Sequence, residues 1–136
     1  MTNHKDHIIF SGRKIKEALL LLNKLSQDAI LFVIDNKEIL LGTISDGDVR
    51  RGLLKGFTLE NLIDEIIQKN SKYITKGENN LQKVIEYREG DFKIIPVVDG
   101  NKKVINIINF RKIKSYLPLD AIIMAAEYRS ASVELV

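Results

Sequence analysis

The spacing of apolar residues predicts strands and an amphipathic helix in the first half of the chain. Residues 8–10 form a short apolar run, and residues 29–34 and 39–44 form two longer runs on either side of a polar turn. Between the first and second runs, apolar residues recur three or four positions apart and define one helical face. That face comprises Ile15, Ala18, Leu19, Leu22 and Leu25. We expect a strand, a helix and a β-hairpin in this order.

The second half of the chain repeats this order. Residues 73–75 lead into it, and residues 92–98 and 104–108 are two strand-like runs around another polar turn. A helical face lies between the lead and the first of these runs. Its inner side comprises Leu81, Val84 and Ile85. Asp99 lies 64 residues after Asp35, at the same point of the polar turn, and this match indicates an internal repeat.

The repeat defines the expected fold class. Each repeat is too small to bury its own apolar face, so the two are expected to pack into one domain. The prediction is an α+β fold of two pseudo-symmetric β-α-β-β-α repeats, residues 1–57 and 58–117. Residues 58–67 show a helical spacing of apolar residues and are expected to begin the second repeat with a helix. Residues 118–136 lie outside both repeats.

Residues suited to ligand binding cluster where the first hairpin meets the next predicted helix, which is expected over about residues 48–55 and to end at Gly56. The cluster comprises Gly42, Ser45, Asp48, Arg50 and Arg51. A carboxylate accepts hydrogen bonds from the vicinal hydroxyls of a ribose, and a helix N-terminus with guanidinium groups favours a phosphate. The alternative interpretation is that Ser45 or Asp46 only caps the helix and that the arginines face water.

Composition narrows the classes of function. The 136 residues include no cysteine, which excludes a disulfide framework and a thiolate metal site. The 21 basic and 18 acidic residues are scattered and give a net charge of +3, which does not favour nucleic acid as a partner. The N-terminus is polar, and no apolar run approaches the ~18 residues of a membrane span. We expect a cytoplasmic protein with no membrane partner.

Residues for catalysis or metal binding are sparse. His4 and His7 are expected to be exposed in an N-terminal tail, and no serine lies in a nucleophile elbow. Asp46 and Asp48 could share a Mg²⁺ carried by a phosphate ligand, although two carboxylates at such a turn also cap helices. We expect no catalytic residue and no metal site in this chain.

Four stretches resemble cystathionine-β-synthase (CBS) domains, which occur in tandem as the regulatory Bateman module. They are IKEAL at 15–19, LFVID at 31–35, GTISDGDV at 42–49 and IIPVVD at 94–99. The third fits the ligand signature of that family, in which a glycine, a serine or threonine and an aspartate follow one another at intervals of three. The resemblance covers about residues 6–117 and implies a binding module that often takes AMP, ADP or ATP.

The resemblance also implies roles for individual residues. Ser45 and Asp48 match the positions that hold the ribose, and Arg50 and Arg51 are candidates for the phosphate. The lead strand of the family lines the base pocket, which here corresponds to Ile8, Ile9 and Phe10.

The second repeat departs from the signature. Asn106, Asn109 and Lys112 stand where the glycine, the hydroxyl and the carboxylate would be. A lysine cannot accept a hydrogen bond from a ribose hydroxyl. We therefore expect one competent site at most, and the resemblance implies a homodimer formed through helices of the module.

Two segments resemble CBS pairs fused ahead of sugar-phosphate nucleotidyltransferases. They are SDGDVRRGLLKG at 45–56 and PLDAIIMA at 118–125, the latter similar to the first strand of the transferase domain. Residues 126–130 contain none of the glycines of the phosphate loop that should follow. Residues 118–136 are therefore interpreted as a remnant of the transferase domain plus a tail. The alternative for residues 121–125 is a terminal apolar strand or helix without that origin.

Three hypotheses remain open at the level of sequence. The first is a regulatory module that binds an adenine nucleotide, loses it on Asp48→Ala and controls an attached nucleotidyltransferase. The second is a dimerisation scaffold without a ligand, with its contact beside Val49, Leu53, Ile113 and Leu117. The third is a sugar-1-phosphate nucleotidyltransferase, a reaction that we expect this chain not to perform.

Overall fold

The computed structural model describes residues 4–25, 27, 29–78, 81–90 and 92–110. They fall into two compact units, the first covering Lys5–Ser71 and the second beginning at Lys72. Each unit contains one three-stranded sheet and is described by itself below. None of the helices in the described part of the chain is both long and apolar enough to span a membrane.

The first unit is built in the predicted order of elements. Its elements are β1 (Ile8–Phe10), α1 (Ile15–Leu25), β2 (Ile30–Ile34), β3 (Leu40–Ser45) and α2 (Asp46–Leu54). Strand β2 lies in the middle of the sheet, parallel to β1 and antiparallel to β3. A short 3₁₀ turn, His4–His7, precedes β1.

The core of the first unit lies between its sheet and its helices. Helix α1 contributes the buried side chains of Ile15, Ala18 and Leu22. Burial of this face removes apolar area from water, which is the main stabilising term of the fold. The remaining buried members of the cluster are Ile9, Leu31, Val33, Ile44, Val49, Ile63 and Ile66.

The second unit repeats the same topology. Its elements are β4 (Ile74–Thr75), α3 (Leu81–Glu89), β5 (Ile94–Val98) and β6 (Val104–Asn109). Strand β5 lies between a parallel β4 and an antiparallel β6. The predicted inner face of α3 is confirmed at Val84, which is completely buried, whereas Leu81 is 42% exposed. The mixed α+β class and the paired repeats are therefore confirmed.

The two hairpins match residue by residue. Phe32 pairs with Thr43 in the first, and Pro96 pairs with Ile107 in the second, at the predicted offset of 64. Both hairpins also shift register at equivalent places, between Val33 and Ile34 and between Val97 and Val98.

The hairpin turns are held by one aspartate each. The Oδ1 atom of Asp35 accepts hydrogen bonds from the backbone amides of Lys37 and Ile39 at 2.8 and 3.0 Å. Asp99 accepts equivalent bonds from Asn101 and Lys103 at 2.9 and 3.0 Å. An aspartate that bonds to amides further along its own chain stabilises a tight turn, which explains its recurrence in the repeat.

The predicted helix at residues 58–67 is wrong. The structure has only a short 3₁₀ turn there, Ile63–Glu65. The backbone of this segment bonds to the residues around the start of α1. The amide of Ile63 donates to the carbonyl of Arg13, and the amide of Ile15, the first residue of α1, donates to the carbonyl of Asn61, both at 2.8 Å. These backbone groups are then no longer available for the bonds of an α-helix.

The same segment belongs to the first compact unit. The amide of Gly12 donates to Asp64 Oδ2 at 2.8 Å, and the hydroxyl of Ser11 donates to Asp64 Oδ1. The unit consequently extends to Ser71, beyond the division at residues 57 and 58 that the repeat pattern suggests.

Several predictions fall on residues 111–136, outside the described residues. They concern Lys112 of the second signature, Ile113 and Leu117 of the proposed dimer contact, and the transferase remnant at 118–136.

Candidate functional site

The turn at the end of β3 is a helix start closed by two side chains. Ser45 is the N-cap of α2, and its hydroxyl oxygen accepts from the amide of Asp48 at 3.4 Å. Asp48 reciprocates through Oδ2, which accepts from the amide of Ser45 at 2.9 Å and from its hydroxyl at 3.1 Å. This capping box starts α2 at Asp46, two residues before the predicted start.

The other oxygen of Asp48 has two further donors. Nη2 of Arg51 donates to Oδ1 at 2.7 Å, and Nε2 of Gln68 donates to the same atom at 3.0 Å. Asp48 is only 5% exposed, so both bonds lie in partly buried surroundings. The structure therefore places the predicted ribose carboxylate and one predicted phosphate residue in direct contact.

These bonds decide the charge of Asp48. Burial by itself would raise the pKa of this carboxyl, because a buried carboxylate loses its hydration. The hydrogen bonds from Arg51, from the amide of Ser45 and from Gln68 outweigh burial and hold the pKa of Asp48 below its usual value. Asp48 is therefore a carboxylate at neutral pH and can only accept hydrogen bonds.

A cavity of about 150 Å³ lies beside Asp48 within the first unit. Its polar wall includes Arg51, Lys55, Glu65 and Gln68, and its apolar wall includes Phe57 and Ile66. Lys55, the C-cap of α2, follows Arg51 by four residues, and both cations line this one cavity. The cavity can hold a group the size of a sugar, and its lining combines two cations, Arg51 and Lys55, with two carboxylates, Asp48 and Glu65.

The backbone at Gln68 lies very close to Gly42. The amides of Thr43 and Gln68 each donate to the carbonyl of the other residue, at 3.0 and 2.9 Å. A Cβ atom added to Gly42 would lie 2.4 Å from the carbonyl oxygen of Gln68. Only glycine allows this approach without a shift of the backbone. The observed neighbour of Gly42 is thus the segment after α2.

The two arginines of the predicted site face different surroundings. Arg51 bonds to Asp48 and lines the cavity beside it. Arg50 instead lines an apolar groove of about 390 Å³, together with Asp46 and four apolar residues. Those apolar residues are Leu19, Val49, Leu53 and Leu54. The structure therefore brings Arg51, and not Arg50, to the carboxylate.

Strand β1 lies away from this cluster, because β2 separates it from β3. Ile8 is in register with Phe32 and Thr43, near the end of the sheet that carries Ser45. With about 4.8 Å between neighbouring strands, β1 and β3 lie about 10 Å apart. Ile9 is buried in the core, and Phe10 lies at the opposite end of β1. Of the three predicted base contacts, Ile8 is nearest to Ser45.

His7 corrects the expectation of an exposed tail. Its side chain is 2% exposed, and Nδ1 lies 2.9 Å from the carbonyl oxygen of Ile30. A carbonyl oxygen only accepts, so Nδ1 of His7 carries the proton. Ile30 pairs with Ser45, which places His7 at the same end of the sheet as the signature turn.

Sequence reasoning missed Lys55 and Gln68. Lys55 lies at the C-terminal end of a helix, and nothing in the sequence distinguishes it from the other surface lysines as a site residue. Gln68 follows the segment that was mistaken for a helix, so its pairing with Thr43 was not foreseen. Only the observed contact with Asp48 identifies it.

The second unit offers different chemistry at the matching turn. Asn106 and Asn109 are both buried, and the amide of Ile107 donates to Oδ1 of Asn106 at 2.9 Å. Neither side chain can be ionised, and the residue that matches Asp48 in the sequence, Lys112, lies outside the described residues. Within the described residues, no group of three histidine or carboxylate side chains is arranged to hold a metal ion.

Comparison with solved structures identifies the architecture. The chain superposes on the CBS pair domain of a putative Mg²⁺ transporter from Shewanella oneidensis with a TM-score of 0.68 and 16% identity, over 91% of this chain and 67% of that one. The fold is that of a CBS-domain pair. The resemblance seen in the sequence is thereby confirmed at the level of fold.

Two similar structures contain bound nucleotides or nucleosides. Listeria monocytogenes CbpB in complex with c-di-AMP has a TM-score of 0.64 and 23% identity, over 76% of this chain and 80% of that one. A CBS pair with bound 5′-methylthioadenosine and S-adenosyl-L-methionine has a TM-score of 0.60 and 24% identity, over 82% and 91% of the two chains.

Comparison of sequences identifies relatives but no function. No protein-family model matches the chain. An uncharacterised protein of Helicobacter pylori strain J99 is 29% identical over 107 residues, which is 78% of this chain. The chain spans about a third of the length of that relative, 32%.

Proposed function

We propose that this chain is a regulatory module that binds an adenine nucleotide through its first unit. The observation that carries the proposal is Asp48, a buried and ionised carboxylate at the Ser45 turn, beside a cavity with two cations. The carboxylate accepts from the ribose hydroxyls, and Arg51 with Lys55 attracts the phosphate. The adenosine-containing ligands of similar CBS pairs support this class of ligand.

Calorimetric titration with AMP, ADP, ATP and GTP tests the proposal. We expect micromolar binding of at least one adenine nucleotide, about −8 kcal/mol. Asp48→Asn should abolish it, because the neutral amide keeps an acceptor for Ser45 but loses the charge that holds the ribose. Asp46→Asn is the matched control, since Asp46 is exposed on the same turn. If the folded protein shows no heat of binding with any of these nucleotides, the proposal is wrong.

The two arginines give a second, internal comparison. Arg51→Gln should weaken AMP about tenfold more than adenosine, because only AMP carries the phosphate, whereas the lost bond to Asp48 affects both ligands. Arg50→Gln should leave both affinities near those of the wild type, since Arg50 lines the apolar groove instead. The reverse ranking of the two variants would place the phosphate on the other side of α2.

The finer part of the proposal concerns what the module controls. The chain corresponds to about a third of its Helicobacter relative, which fits a regulatory part of a longer protein. We propose that the attached domain is a sugar-phosphate nucleotidyltransferase, on the sequence resemblance of residues 45–56 and 118–125 alone. An assay of nucleotidyl transfer by the longer protein, with and without the bound nucleotide, tests this assignment.

A dimerisation scaffold is the second candidate function. It is favoured by the apolar groove between α1 and α2, where Leu54 is 81% exposed and Leu53 is 41% exposed. A contiguous exposed apolar surface of this kind is typical of a contact surface. A symmetric dimer would cover the same surface on both copies.

A further inference from the structure

The side chain of Gln68 contacts the atom that the proposed ribose would use. Its Nε2 donates to Oδ1 of Asp48 at 3.0 Å. The main chain of the same residue pairs with Thr43 through two bonds, so Gln68 is anchored at the edge of β3 independently of its side chain. The side chain can leave Asp48 while the backbone stays in place.

Asp48 has little acceptor capacity left. A carboxylate offers about four lone-pair positions on its two oxygens. Four donors already reach them, two from Ser45 and one each from Arg51 and Gln68. A ribose diol brings two more hydroxyl donors. It must therefore replace at least one donor of the chain.

Gln68 is the donor that is easiest to replace. The amide of Ser45 is fixed by the start of α2, and the hydroxyl of Ser45 is held at the same place by the bond that it accepts from the amide of Asp48. Arg51 carries its own positive charge and forms an ion pair with the carboxylate in addition to its hydrogen bond, whereas Gln68 donates from a neutral amide. The amide of Gln68 is uncharged and belongs to an exposed residue, so water can take over its hydrogen bonds after it leaves.

We propose that Gln68 is an internal competitor that a ribose hydroxyl displaces from Asp48 when nucleotide binds. This inference rests on the proposed function, in which Asp48 holds the ribose. Gln68 also lines the cavity of about 150 Å³, which is smaller than the space that a whole nucleotide needs. Withdrawal of its side chain both frees Oδ1 and widens the cavity.

The competitor role predicts a gain of affinity from a deletion. Gln68→Ala should lower the Kd for AMP or ATP between about twofold and tenfold, because the hydrogen bond from the Gln68 amide to Asp48 no longer has to be broken. A residue that merely supports the site would instead lose affinity on truncation. Gln82→Ala is the matched control, since the amide of Gln82 donates to Glu86 on α3 in the second unit.

Titration of AMP and ATP into wild type, Gln68→Ala, Gln82→Ala and Gln68→Ala/Asp48→Asn separates the outcomes. The inference is supported if Gln68→Ala binds more tightly than the wild type and the double variant Gln68→Ala/Asp48→Asn does not bind. This holds also if binding by the wild type is too weak to detect. Equal or weaker binding by Gln68→Ala, with wild-type binding that depends on Asp48, overturns the inference and leaves the proposed function intact. No binding by any variant overturns both. Hydrogen exchange at the Thr43 amide verifies that the backbone pairing survives in Gln68→Ala.

Discussion

Asp48 serves two purposes with its two oxygens. Oδ2 closes the capping box with Ser45, and Oδ1 joins Arg51 on α2 to Gln68 on the following segment. The carboxylate therefore fixes both the start of α2 and the position of the chain beyond it. A ligand that binds the carboxylate of Asp48 would therefore affect both α2 and the segment that contains Gln68.

The charge of Asp48 predicts how stability depends on pH. An unfolded aspartate titrates near pH 3.9, and the folded pKa of Asp48 lies lower. A lowered pKa stabilises the folded state above the unfolded pKa, and this stabilisation is lost as pH falls through the folded pKa. Asp48→Asn should cost about 1–2 kcal/mol at pH 7 and progressively less towards pH 3.

Urea unfolding of wild type and Asp48→Asn at pH 7, 5 and 3 measures this difference. Asp46→Asn provides the comparison for loss of a charge on the exposed side of the same turn. A difference in unfolding free energy that stays constant over the whole range would contradict the assigned charge of Asp48.

At the scale of elements, the edge of β3 is extended by the segment after α2. Thr43 and Gln68 exchange two backbone hydrogen bonds, and the absence of a side chain at Gly42 permits the approach. This contact brings Gln68 to Asp48 and Ile66 into the core cluster. The pairing therefore connects the core to the candidate site.

Gly42→Ala should disrupt this pairing. The added methyl group would meet a backbone carbonyl at 2.4 Å, and a clash with backbone in a packed region costs about 1–3 kcal/mol. Gly100→Ala is the matched control, because a Cβ added in that hairpin turn meets nothing within 4 Å. Chemical denaturation gives the stability loss, and faster exchange of the Thr43 amide locates it. Equal stabilities of the two variants would show that the approach at Gly42 is not constrained.

At the scale of the whole molecule, the proposed dimer would form at the apolar groove between α1 and α2. It is about 390 Å³ in volume, and Asp46 and Arg50 provide opposite charges at its margin. Because a two-fold contact places the same surface on both copies, these charges can meet their opposites across the dimer axis.

Leu54→Glu should shift a dimer towards the monomer by at least about tenfold in dissociation constant, because it buries a charge in an apolar contact. Leu62→Glu is the control, since Leu62 is 44% exposed on the segment after α2 and does not line the groove. Sedimentation velocity over a range of concentrations measures both. A dimer that is unaffected by Leu54→Glu would place the contact elsewhere.

The sequence alone determined the order of the six strands and of helices α1, α2 and α3, and the offset between the repeats. It did so because burial of one face imposes a period on each element, and because Asp35 and Asp99 mark the same turn twice. The Ser45 and Asp48 signature was recognisable because a capping box depends on residues close in sequence.

Tertiary structure alone decided which polar residues meet. Residues 58–67 carry a helical pattern, yet their backbone bonds to the residues around the start of α1, and Gln68 pairs with β3. Such contacts join residues about 20 to 50 positions apart, so no local period records them. The separation of Arg50 from Arg51 and the burial of His7 have the same origin, because the direction of a side chain depends on what packs beside it.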